Sequence, residues 1–251
     1  THMEAQVCWH RGRMLMFGGF RRTWWDLDRE TTFWDPEQEN WIAGPELPSE
    51  EGGDFPLTHA AMATDDDFVY VVSGQPGPRY TAACRAVWAR HPATGRWTRL
   101  PELPVARYNA AGCVVAGELH VFGGNREDRT NHSPEHWILD LPPMGEEGDE
   151  DRRAERRWNA LDTGTWRRGH DQPVLGDHCG QWLDRTEKGA ALYLVGGEHG
   201  HAGWAPEEKE DAPEGNYVAN PYLMRHDFSR DRWCRLSDIP FPVHHIEHQV
   251  V

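Results

Sequence analysis

The chain has 251 residues, 26 Lys+Arg against 41 Asp+Glu for a formal charge of −15, and 38% hydrophobic residues that include 13 tryptophans. Such a charge repels phosphate backbones and anionic lipid, so nucleic acid and membrane surfaces are set aside as partners. No run approaches the roughly 18 apolar residues of a membrane span, the N-terminus lacks the apolar core of a signal peptide, and Cys8, Cys84, Cys113, Cys179 and Cys234 stand singly. A cytoplasmic protein without a disulfide framework is the expectation.

Thr1-His2-Met3 has the form of an expression-tag remnant, which leaves a single folded domain over residues 4–251. Along it a four-part unit repeats. The first unit, about residues 4–44, has an apolar strand over Ala5–Trp9, then MLMF ending in Gly18-Gly19, then Asp35 six positions before Trp41. The second, about 55–100, repeats this with His59–Thr64, VYVV-Ser73-Gly74, and His91 six positions before Trp97. The third, about 105–161, has Asn109–Val115, a Gly117 turn, LHVF-Gly123-Gly124 and Trp137–Asp140, then the insertion PPMGEEGDEDRRAE before Trp158. The fourth, about 174–238, has His178–Leu183, LYLV-Gly196-Gly197, and Asp227 six positions before Trp233. Apolar runs rich in β-branched and aromatic residues read as strands, and six residues between polar residue and tryptophan make a tight antiparallel hairpin. Each unit is therefore four strands, A to D. Residues 245–251 echo Met3–Cys8 and read as the A strand of a fifth unit.

The small pair after strand B, the D-x5-W hairpin and the leader LPELPVARYNAAGCVVAGELHVFGG resemble Kelch repeats. The resemblance covers nearly the whole chain and is strongest over Pro101–Gly124, where it is similar to adaptor-type Kelch domains. It implies an all-β propeller with four four-stranded blades plus the first strand of a fifth. Kelch rings commonly hold six blades, so further blades are expected from residues outside this chain or from a second chain. The repeated tryptophans are expected to pack between blades rather than to form a ligand box.

In a propeller the loops leaving B and entering A gather at one mouth of the axial channel. There the sequence places Arg21, Arg22, Arg79, Asn125, Arg126, His199 and His201 after B strands, and His59, Arg107, His178 and His245 before A strands. The resemblance gives Arg107 the place of the arginine that contacts acidic peptides in adaptor Kelch domains, with Leu57 and His245 as its counterparts. Arginines and histidines at one mouth of an acidic protein favour an anionic partner, and pairing with acidic rim residues is the alternative reading. His178, His199, His201, His245 and His248 are metal-capable, but none of their spacings is a recognised signature, so no cofactor is expected and a transition metal stands as the alternative.

The acid–base insertion Gly145–Arg157 reads as a solvated loop. The functional expectation is a module that binds a protein or peptide, acidic in character, at the loop-rich mouth. The alternative is a propeller enzyme or small-molecule binder with a His/Arg-lined axial pocket.

Overall fold

The computed structural model describes residues 4–45, 47–48, 55–78, 81–91, 93–126, 132–143, 150–173, 179–186, 189–199 and 218–243. They form four antiparallel sheets. Blade 1 holds β1 (Gln6–His10), β2 (Arg13–Phe17), β3 (Thr31–Asp35) and β4 (Asn40–Ala43) in that order. Blade 2 holds β5 (Ala61–Thr64), β6 (Val69–Gly74), β7 (Cys84–Arg90) and β8 (Trp97–Leu100). Blade 3 holds β9 (Ala111–Val115), β10 (Glu118–Phe122), β11 (His136–Asp140) and β12 (Trp166–Arg168). Blade 4 is β13 (Gly180–Thr186), β14 (Gly189–Val195), β16 (Val218–Asp227) and β17 (Arg232–Val243), with the short β15 (Glu198–His199) paired to the start of β16.

The expected units thus appear as four four-stranded blades. The fifth A strand, residues 245–251, lies outside the described residues.

The small pairs end the B strands because both residues take positive φ, as at Ser73 (56°) with Gly74 (101°) and at Gly123 (61°) with Gly124 (80°). The second position must be glycine for a further reason. A Cβ at Gly124 would lie 2.6 Å from the Tyr108 carbonyl oxygen and 2.9 Å from Ala110 Cα, backbone with nowhere to move. Ser73 tolerates the first position because its hydroxyl has work there. It accepts from the Arg107 N–H at 2.7 Å and lies 2.7 and 2.9 Å from the carbonyls of Cys84 and Arg107.

Alternation along each strand feeds two cores. On β6, Val69 and Val71 pack toward Cys8, Leu15 and Phe17 of blade 1. Tyr70 and Val72 pack toward Leu119, Val121 and Leu139 of blade 3. On β10, Phe122 turns the other way and meets Leu192, Leu194 and Met224 of blade 4.

Trp97 and Trp233 sit between blades as expected, Trp97 edge-on to Phe55 at 4.9 Å and Trp233 edge-on to Phe122 at 5.4 Å. Trp41 departs from the expectation. It leans on Trp34 on the face of blade 1 turned away from blade 2 and is 42% exposed.

The third unit also differs. Its D strand carries Trp166, which pairs Leu139 as Trp97 pairs Arg90, so blade 3 extends past residue 161 to Arg168. Trp158 instead ends the helix α1 (Glu150–Trp158), which lies within the stretch read as a solvated loop. The helix forms because buried Arg157 joins Asp65 at 2.8 Å and Asp67 at 3.1 Å, Arg153 joins Asp67 at 3.2 Å, and Ala154 and Trp158 enter the core between blades 2 and 3. The fourth unit differs too, since β17 runs on to Val243 instead of stopping near residue 238.

Candidate functional site

The segments leading into the A strands and those leaving the B strands do meet. Gly19 N–H donates to Leu57 O at 2.9 Å, Leu57 N–H to Gln75 O at 2.9 Å, and Gly74 N–H to Arg107 O at 2.8 Å. Tyr108 and Asn125 exchange two backbone bonds of 2.9 and 2.8 Å, and Asn109 N–H donates to His59 O at 2.8 Å. Among the described residues, the mouth of blades 1 to 3 is therefore a continuous backbone belt rather than a set of separate loops.

Within it, Glu4 (φ 56°), His59 (58°) and Asn109 (52°) stand two residues before successive A strands, all in the left-handed region. Non-glycine residues adopt that conformation at a cost, and such positions concentrate at functional sites. Their side chains are coupled, with His59 Nε2 3.0 Å from Glu4 Oε2 and His59 Nδ1 2.7 Å from Thr58 Oγ1. Of the predicted residues, His59 is thus brought to the mouth, already engaged.

Arg107 is brought there too, but not as a solvent-facing ligand group. Its side chain is 1% exposed and ion-paired to Glu135, which also takes Arg168 at 2.9 Å. Burial, and then the cations Arg126 and Arg168, hold its pKa down at about 10. Arg21 likewise pairs with Asp28 at 2.7 Å and Glu30 at 3.1 Å, and the Asp28 hydrogen bond raises its pKa. Asn125 is buried in the belt, where it bridges Tyr108 and His132.

Arg22 and Arg126 are exposed and show no ion pair among the described residues. Arg79, His178, His201, His245 and His248 lie outside the described residues, and of His199 only the backbone, on β15, is described. Ahead of the fifth unit the Val243 carbonyl accepts from Gly197 N–H at 2.9 Å, as the Leu57 and Arg107 carbonyls accept from Gly19 and Gly74.

Two residues at the mouth are absent from the sequence-derived set. The segment after β2 folds back on itself through a Phe20–Leu27 bridge and an Arg21 N–H to Asp26 O bond of 2.8 Å, presenting Trp24 and Trp25 at its tip. Trp24 stands edge-on to Phe20 at 5.2 Å, and Trp25 is 67% exposed. Their signal was present, two tryptophans beside two arginines in RRTWW, but they fall outside the repeated positions on which the tryptophan reading rested.

Two further features bear on chemistry. Near the axis, Gln181 and Arg185 of blade 4 reach the carbonyls of blades 2 and 3, with Arg185 donating to Val114 O at 2.8 Å and Gln181 Oε1 accepting from Gly112 N–H at 3.0 Å. A cleft of about 480 Å³ lies on the opposite rim, between blades 1 and 2, lined by His10, Arg11, Arg13, Phe33, Asp35 and Arg90 among others.

No family model matches the chain. A Kelch repeat-containing protein of Arabidopsis thaliana is 38% identical over 82 residues, 33% of this chain and 19% of that protein. A Kelch-like protein of Aspergillus terreus is 26% identical over 135 residues, 51% of this chain and 28% of the relative. The matched region is less than a third of either relative's length. The solved structure of YjhT, a Kelch-type propeller, superposes with a TM-score of 0.67 over 97% of this chain and 73% of that one, at 12% identity. The chain is a Kelch-type β-propeller. In Kelch terms the belt joins the B–C loops to the D–A connections, and Trp24, Trp25, Arg22 and Arg126 are what it offers outward.

Proposed function

We propose that this Kelch propeller is a protein-interaction module that takes an acidic segment of a partner protein at its mouth. The observation that carries the reading is the exposed Trp24–Trp25 tip beside Arg22. Tryptophan and arginine are enriched among residues that dominate binding energy, and a rigid backbone belt beneath them lowers the ordering cost of association. The Kelch-repeat relatives support interaction in general. Arg22 and Arg126, without an ion pair among the described residues, favour an anionic partner, while Arg107 is buried and held by Glu135. The five cysteines stand singly with no disulfide between them, which supports a reducing compartment.

The test is a comparison of two rims. A partner enriched on the wild-type chain is titrated against Trp25→Ala, Arg22→Glu and, on the opposite rim, Arg13→Glu. Losses of at least about tenfold in affinity for the first two, with Arg13→Glu near wild type, are expected for hot-spot residues. The reverse pattern moves the site to the cleft around Arg90 and overturns the reading.

A further inference from the structure

Between blades 3 and 4, buried imidazoles from several strands converge. His136 of β11 and His226 of β16 are 0% and 1% exposed, and Asp231 of the β16–β17 hairpin lies beside them. One ligand atom from each lies within 4.8 Å of the other two. His226 Nε2 is 3.1 Å from Asp231 Oδ1. His136 Nε2 is 3.0 Å from His120 Nδ1, while its other nitrogen, Nδ1, makes no well-formed hydrogen bond and lies toward the backbone of His170.

Aromatic packing explains part of this arrangement. His136 stacks on Phe122 at 4.0 Å between ring centres, much as a phenylalanine would. It does not explain why a buried nitrogen is left without a well-formed hydrogen bond. Gly169 packs directly against that ring, since a Cβ there would lie 2.1 Å from Nδ1 and only glycine leaves room for the imidazole. The Asp231 carboxylate approaches the two histidines from blade 4.

We propose that His136, His226 and Asp231 form a zinc site that joins blade 3 to blade 4. Two imidazoles and one carboxylate are a zinc-type ligand set that leaves a fourth position for water. A tetrahedral ion with ligands at about 2.0–2.2 Å holds them roughly 3.3 Å apart, so the His226–Asp231 pair is already at ligand spacing and His136, within 4.8 Å of both, needs to close by at most about 1.5 Å. Coordination through His136 Nδ1 leaves Nε2 on His120, the outer-shell partner that a metal-bound histidine keeps. His170, 74% exposed, plays the same part for the carboxylate, its Nδ1 lying 3.0 Å from Asp231 Oδ2. Asp231 is half-exposed and provides the way in from solvent.

The experiment uses the whole chain, stripped with a chelator and titrated with zinc chloride by calorimetry, with cobalt as the spectroscopic probe. One zinc per chain, a zinc-dependent rise in Tm and visible d–d absorption from bound cobalt are expected. Asp231→Asn is chosen because its side chain is at the surface and leaves the core intact, as circular dichroism will check. It should weaken zinc binding at least about tenfold, whereas Asp162→Asn, an exposed carboxylate elsewhere on blade 3, should leave it unchanged. Failure of the wild-type chain to take up a full equivalent, or equal affinity in Asp231→Asn, overturns the site.

Discussion

At the scale of single residues, burial turns a residue that resembles a ligand contact into a structural one. Arg107 is enclosed and neutralised by Glu135, so its removal leaves a partly buried carboxylate held, among the described residues, by one cation, Arg168, and by the Ser133 hydroxyl. Arg107→Ala is therefore expected to cost about 2–3 kcal/mol in urea denaturation, the lower end for a broken buried pair because Glu135 keeps one partner. His10 makes a second residue-scale case. Burial, then neighbouring Arg11, holds its pKa down at about 4 against the pull of Asp65. The native chain keeps His10 neutral while the unfolded chain protonates it below about pH 6.5, so stability falls as pH drops from about 6.5 toward 4 and levels off below. Allowing for its partial exposure, the loss is roughly 1–2 kcal/mol, and His10→Gln should flatten that part of a stability–pH profile.

At the scale of elements, the blades rest on a few turns and one inserted helix. Gly124→Ala must place a Cβ against the Tyr108 carbonyl at positive φ, and a loss of about 2–4 kcal/mol is expected by thermal or chemical melting. Arg157→Ala leaves Asp65 and Asp67 sharing a buried corner with less compensation and should cost about 3 kcal/mol, with α1 the first segment to lose amide protection. These elements also mark the boundary of what could be read from the sequence. Paired small residues and the D-strand tryptophans were legible because positive φ and ring volume restrict which residues fit. Trp158 was misread because an inserted helix delivers a tryptophan into the same core that Trp166 enters from β12, and spacing does not distinguish the two routes. Pairing of the mouth arginines with acidic rim residues was legible as an alternative, but Glu135 as the partner of Arg107 was not, because it is distant in sequence. His136, His226 and Asp231 were invisible as a group because no single strand carries them.

At the scale of the molecule, every described blade interface is built from alternate residues of strands that also serve the interface behind them. The two end faces show what that costs when no neighbour is described. Trp9 and Trp41 on blade 1 and Trp182 on blade 4 are about half-exposed. Clustered apolar exposure of this kind promotes association. Sedimentation at rising concentration is expected to show self-association that Trp9→Lys and Trp182→Lys reduce.

The two-sided use of β6 sets a rule for how such a chain can change length. Inserting or deleting one residue there would send Val69 and Val71 into the space of Tyr70 and Val72, exchanging the contents of two cores at once. The β11–β12 hairpin, by contrast, has absorbed a helix and a 3-10 turn without disturbing either flank. Lineages of this protein should therefore differ by whole blades or by hairpin insertions, and hardly ever by a single residue within an inner strand.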